Sequence, residues 1–176
     1  SLAMEQGFRE IFELGWIDRM PRIDIVQTDG CAPILRALES GGKVEPWGPP
    51  TTKSAGLTSP SPACGDRVAA VVKKTEGEGV EVTDEMNLRA EFMIGAKEGL
   101  FLQPAAAAGV ASLFPGARKS ALGRDETIVC IGTGTGKNAP EVVGEALGRT
   151  VRIPARVDAF LEARSRWLDE MIKPDY

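Results

Sequence analysis

Apolar and polar positions change period several times along the chain, and each change predicts an element. Leu2, Met4, Phe8, Ile11, Phe12 and Leu14 fall on one broad stripe at helical spacing, with Gly15 as a stop. After Pro21-Arg22 the run Ile23-Asp24-Ile25-Val26-Gln27 reads as a strand. Pro33 suits the first turn of a helix through Leu38, which Gly41-Gly42 close. Residues 41–62 then carry Gly41, Gly42, Pro46, Gly48, Pro49, Pro50, Gly56, Pro60 and Pro62 among Ser and Thr. Such a density of breakers predicts a long flexible loop, and loops of about 20 residues are usually functional or mobile.

Beyond Cys64 the rhythm is regular again. Val68, Val71 and Val72 mark a helix, Gly77-Glu78-Gly79 a turn and Val80-Glu81-Val82 a strand. Thr83 or Asp84 can cap the next helix, which carries Met86, Leu88, Phe92, Met93 and Ile94 as far as Gly99. Leu100-Phe101-Leu102 reads as a short strand, and Pro104 opens an Ala-rich helix that ends at Pro115-Gly116. Thr127-Ile128-Val129-Cys130-Ile131 is the clearest strand, followed by a glycine loop and a helix from about Pro140 to Leu147. A last helix, 155–172, places Val157, Phe160, Leu161, Leu168 and Met171 along one side, a face expected to be core or a dimer contact. Strands near 24, 80, 100 and 128 thus alternate with helices. The expected fold is α/β, a parallel sheet of about four strands with helices on both faces, in a single domain over 1–176.

Composition narrows the chemistry. The 176 residues are 43% apolar and 26% charged, ordinary for one globular domain. Twenty-one Lys+Arg against 25 Asp+Glu leave a net charge of −4, and no basic run offers a footprint for nucleic acid or a membrane surface. No apolar stretch approaches the roughly 20 residues of a membrane span, and no secretory segment opens the chain. The chain starts without Met on an uncapped helix, as though cut from a longer design, with Ser1 and Leu2 reading as cloning residues. Cys31, Cys64 and Cys130 are widely spaced, which argues against a disulfide scaffold or a structural zinc site and for a reducing cytoplasm. Histidine is absent, so Ser-His-Asp or Cys-His nucleophiles, HExxH zinc sites and histidine acid–base catalysis are excluded. Any chemistry must come from carboxylates, lysine, hydroxyls or a cofactor.

Ile131-Gly132-Thr133-Gly134-Thr135-Gly136-Lys137-Asn138 invites two readings that fail. A Walker A loop needs a Gly where Ile131 stands and a Ser or Thr where Asn138 stands. A dinucleotide fingerprint needs GxGxxG, whereas this string is GxGxG. What survives is position: the loop follows a predicted strand and opens onto a predicted helix, where α/β sheets bind ligands. It is either a ligand cradle with Thr133 and Thr135 hydroxyls or a tight turn without a ligand.

Several strings, taken in order, resemble the pyridoxal-phosphate-dependent enzymes of the tryptophan-synthase-β superfamily, threonine synthases most of all. Residues 3–10 (AMEQGFRE) look like that family's LAxxKGFxEL helix. Pro21–Gln27 with Ala32-Pro33-Ile34 looks like its PRxxxVQ strand and APL turn, and residues 80–85 (VEVTDE) like its VxVTDEE junction. Residues 98–108 (EGLFLQPAAAA) parallel EGIFxEPASAA, and residues 133–140 (TGTGKNAP) stand where TGHGxKDP does. Five strings in the right order cover most of residues 3–140.

The resemblance implies a partial type II large domain, the C-terminal portion of a lyase converting O-phosphohomoserine to threonine with pyridoxal phosphate. It implies that the lysine bonding the cofactor and the phosphate-cradling loop both lie in a part this chain lacks, so no catalytic residue is carried over. Thr133 matches the hydroxyl that hydrogen-bonds the pyridine nitrogen, with Gly132 and Gly134 beside it as cofactor-binding backbone. The expected partners are the missing N-terminal half, a small amino-acid phosphoester and a second copy in a homodimer. Lys137 and Lys53 read as solvated lysines, Cys130 as a small core residue, and Asp84-Glu85 as helix-dipole charges. Gln103 stands for the family's Glu, Ala106 for its Ser, Thr135 for the His of TGHG and Ala139 for the Asp of KDP. TTKSAGLTSP at 51–60 keeps only part of the family's TIASAIRIGNP. Two alternatives therefore stay open: a related threonine or diaminopropionate ammonia-lyase, and a non-catalytic α/β domain binding an anion or a partner chain.

Overall fold

The computed structural model describes residues 1–138, 144 and 152–171, the last five of these by backbone alone. It divides into two compact units, Ser1–Pro140 and Glu141–Tyr176. The first contains helix α1 (Leu2–Glu13), strand β1 (Ile25–Thr28), helices α2 (Pro33–Ser40) and α3 (Gly65–Lys74), strand β2 (Gly79–Val82), and helices α4 (Asp84–Glu98) and α5 (Pro104–Ala111). Short 3-10 turns lie at Ala55–Leu57 and Gly136–Asn138. The second unit contains helix α6 (Val157–Met171).

β1 and β2 pair in parallel, with Ile25 opposite Gly79 and Thr28 opposite Val82. Alternation along the strands sends residues to two helical layers. Val80 and Val82 enter a core with Ala90 and Ile94 of α4 and Ala107, Ala108 and Ala111 of α5, with Val26 against it. Gly79 faces the other way, so close to Leu35 and Leu38 of α2 that a Cβ would meet them at 3.0–3.3 Å. Gln27, also on that side, caps α2. Its Oε1 accepts from the N–H groups of Ile34 and Leu35 at 2.9 and 3.1 Å, the service that Ala32 at the N-cap lacks a side chain to perform. Gly41 and Gly99 end α2 and α4 in the left-handed conformation.

Four parallel strands are not found among the described residues; there are two. Leu100–Leu102 contributes a single bridge, Leu102 with Thr135, and that bridge is antiparallel. Residues 127–131 form no ladder, and Ile128, Val129 and Ile131 are exposed, Val129 by 77%. A β-branched run is a strand only where a neighbour supplies its hydrogen bonds, and none of the described residues does so. Cys130 is likewise exposed rather than core, leaning on Gly109 of α5.

α1 shows a similar inversion. Met4, Phe12 and Leu14 of the apolar stripe are exposed, as is Trp16, while Glu5 is buried and paired with Lys74 of α3 at 2.8 Å. Val157, Phe160 and Leu161 of α6 are exposed as well, and the side chains of Leu168 and Met171 lie outside the described residues. The helix expected at 140–147 lies outside the described residues, apart from Gly144.

The segment 41–62 is tied at several points. Arg36 stacks over the Trp47 ring at 4.7 Å and donates to the Pro46 carbonyl, Trp47 donates its N–H to Pro60, and Thr51 donates its N–H to Gly30. At the other end of the sheet Arg118, in the stretch after α5, bridges Asp24 and Glu78, the residues just before each strand, at 2.5 and 3.2 Å.

Candidate functional site

The glycine loop is held against the start of α5. Gly136 donates its N–H to Phe101 at 2.9 Å, and Gln103 donates its N–H to Gly134 at 3.1 Å, a narrow antiparallel clasp. The glycines are required by closeness rather than by backbone conformation. A Cβ on Gly134 would lie 2.2 Å from the Gln103 amide nitrogen, one on Gly136 2.4 Å from the Phe101 ring, and one on Gly132 3.0 Å from Leu102. This chain's own residues, Gln103, Phe101 and Leu102, come that close to the three glycines. Thr133 is different. Its side chain is exposed and makes no hydrogen bond among the described residues. Thr135, two residues on, is turned back toward the Phe101 carbonyl at 3.5 Å.

Gln103, which stands at the N-cap of α5, links this loop to a second one. Its amide nitrogen lies 3.2 Å from where a Cβ on Gly56 would be, and Ala105 lies 2.8 Å from the same point. The 51–57 segment thus packs on α5 while its front end is fastened to α4. Asp84 accepts from Thr52 Oγ1 at 2.7 Å, Lys53 N–H at 2.6 Å, Ser54 N–H at 3.1 Å and Ser54 Oγ at 2.8 Å. Burial opposes the charge on this carboxyl, but donors from Lys53, Thr52 and Ser54 outweigh it and hold its pKa below the ordinary value. Thr83 caps α4 by accepting from Met86 N–H at 3.1 Å. Asp84 is therefore a loop anchor as well as a first-turn charge, a role its sequence position does not reveal.

Asp29, Gly30, Thr51, Thr83, Asp84 and Glu85 line a shallow depression beside this anchor. Three carboxylates in that lining disfavour an anionic ligand there. Lys137 and Lys53 are both exposed, and no cluster able to hold a metal exists among the described residues. No helix among them is long and apolar enough to cross a membrane.

The Thr133 hydroxyl, exposed on a loop clasped to the start of α5, carries one O–H donor and two acceptor lone pairs. Residues 1–134 match the model of the family described as pyridoxal-phosphate dependent enzymes, and the chain belongs to that family. It is 33% identical over 162 residues to a threonine synthase of Methanosarcina acetivorans, covering 92% of this chain and 40% of that protein. It is 30% identical over 170 residues to a threonine synthase of Methanocaldococcus jannaschii, covering 96% of this chain and 41% of that protein. A threonine synthase of Synechocystis is 31% identical over 93% of the chain. The chain spans about 40% of the length of these curated relatives.

Proposed function

We propose that the chain is the C-terminal part of the large cofactor domain of a threonine-synthase-like lyase, working with the remainder of a longer polypeptide to convert O-phosphohomoserine to threonine and phosphate. The observation that carries this reading is likeness to threonine synthases across more than nine-tenths of the chain. Pyridoxal phosphate, when bound, supplies the electron sink for elimination and replacement at the β and γ carbons.

In this reading Thr133 donates its hydroxyl to the pyridine nitrogen. A neutral hydroxyl, unlike a carboxylate, leaves that nitrogen largely unprotonated and moderates the electron demand. Gly132 and Gly134 let the backbone run close, and the clasp on Phe101 and Gln103 fixes where Thr133 stands. Gln103 contributes a neutral amide where the family's string has a carboxylate. The lysine that bonds the cofactor and the groups that receive the substrate phosphate come from the remainder of the enzyme. Homodimerisation and a cytoplasmic setting belong to the same reading, the latter favoured by the free thiols of Cys31, Cys64 and Cys130.

The test compares the complete polypeptide with residues 1–176 alone. The complete protein is expected to release phosphate from O-phosphohomoserine with threonine as the co-product. The isolated chain should show no turnover, and borohydride reduction with the cofactor should leave only scattered surface labelling. A single stoichiometric adduct with turnover by the isolated chain would overturn the division of labour. Deamination of threonine or diaminopropionate by the complete protein, without phosphate release, would replace the reading with the ammonia-lyase alternative.

A further inference from the structure

Asn87, Ala90, Glu91 and Ile94 form the buried stripe of α4. Ala90 and Ile94 share their core with Ala107, Ala108 and Ala111 of α5, so a carboxyl group sits on a face otherwise given to small apolar contacts. Glu91 is only 2% exposed, and neither of its oxygens has a hydrogen-bond partner among the described residues. One helical turn earlier, fully buried Asn87 donates from Nδ2 to Ser54 Oγ at 2.9 Å, while its Oδ1 also lacks a partner among the described residues. Residues four apart on a helix are neighbours. An amide oxygen and an ionised carboxylate both only accept, so a hydrogen bond between two such groups can form only in the state in which the acid keeps its proton.

We propose that Glu91 is a protonation switch in the seam between α4 and α5. As the neutral acid it donates its O–H to Asn87 Oδ1 and completes a relay from Asp84 through Ser54 and Asn87; its ionisation opens the seam. Among the described residues no charge is paired with the Glu91 carboxyl. α5 carries no titratable side chain over Pro104–Ala111, and β2 turns Val80 and Val82 inward with Glu81 exposed. The 51–57 segment brings Lys53, which is exposed, and Asp84 already accepts from Thr52 and Ser54. On α4 itself Glu85, Arg89, Lys97 and Glu98 are exposed, Arg89 over the Phe114 ring. Burial alone pushes the Glu91 carboxyl up to about 7. The switch reaches the glycine loop through Gln103, the N-cap of α5, which donates its N–H to Gly134. It rests on these contacts and not on the lyase reading.

The folded protein holds the proton over a pH range in which the unfolded chain, with an ordinary glutamate near 4.5, has lost it. Stability therefore falls as pH rises from that value to about 7 and levels off above it. The test uses residues 1–176 as they stand, with side-chain carboxyl ¹³C labelling of glutamate and thermal melts from about pH 5 to 8. One glutamate resonance is expected to titrate with a midpoint near 7 and to vanish in Glu91→Gln. The melting temperature of the wild type should fall across that range, and that of Glu91→Gln should stay level. Should Glu91→Gln fold poorly, Glu91→Leu provides the uncharged comparison for the melts, and the wild-type titration stands by itself. All glutamates titrating below about pH 5.5 would overturn the proposal. So would parallel pH profiles for wild type and the uncharged variant.

Discussion

At the scale of single residues, Asp84 and Thr133 differ most in how firmly the fold engages them. Asp84 holds the 52–54 segment through four donors. Asp84→Ala leaves those donors without their acceptor and is expected to destabilise the fold by about 2–3 kcal/mol. Urea denaturation measures the loss, and faster proteolysis within 51–60 should accompany it. Because its carboxyl titrates lower in the folded protein than the ordinary 3.8, its contribution is fully present above that value and is lost as pH falls through the folded value. Asp84→Asn should flatten that acid limb of the stability curve. Thr133 has the opposite profile, exposed and without a hydrogen bond among the described residues. In the complete enzyme Thr133→Val should lower kcat/KM by tenfold or more, a loss of about 1–3 kcal/mol, with little change in melting temperature. Thr135→Val should spare the kinetics, since that hydroxyl points back to Phe101. The reverse outcome would place the cofactor contact one glycine further along the loop.

At the scale of elements, most helices and both paired strands were legible, because Pro33, Pro104, Thr83, Gly41 and Gly99 mark their ends by backbone chemistry that acts locally. What depended on a neighbour was not. Residues 127–131 have the composition of a strand and no ladder, and Leu100–Leu102 yields one bridge. Helix α4 turns inward Asn87, Ala90, Glu91 and Ile94, with Ala90 and Ile94 against the alanine face of α5. Phe92, which the apolar pattern offers as core, is exposed. The glycine loop could be singled out from sequence, but the anchor at Asp84 and the bridging place of Gln103 arise from long-range contacts that no local string encodes. The turn between α3 and β2 gives a sharper test of element packing. A Cβ on Gly77 would lie 2.0 Å from the Ile23 carbonyl oxygen, backbone that no rotamer change can move. Gly77→Ala should therefore cost about 1–3 kcal/mol, read from denaturation midpoints, with the loss concentrated in exchange protection of β1 and β2.

At the scale of the whole molecule, apolar surface is left uncovered in several places. Phe12, Leu14 and Trp16 follow one another near the start, Trp16 exposed by 75%, and Ile128, Val129 and Ile131 lie on a stretch that pairs with no strand among the described residues. Unpaired extended backbone templates pairing with another chain, and soluble monomers rarely leave large apolar patches bare. The isolated 18.8 kDa chain is accordingly expected to self-associate, with scattering mass that rises with concentration and with binding of a hydrophobic dye. A constant monomer that binds no dye would show that these surfaces are not sticky. The pairing of Ile25 with Gly79 also bears on how the chain reaches its fold. That contact joins residues more than fifty positions apart and encloses α2, the 41–62 segment and α3. Closing so long a loop is entropically slow, whereas α4 and α5 are separated by five residues and can meet early. Refolding should then begin with the α4–α5 hairpin and end with the two strands zipping together under the Arg118 clasp, an order that pulse-labelled amide exchange would resolve.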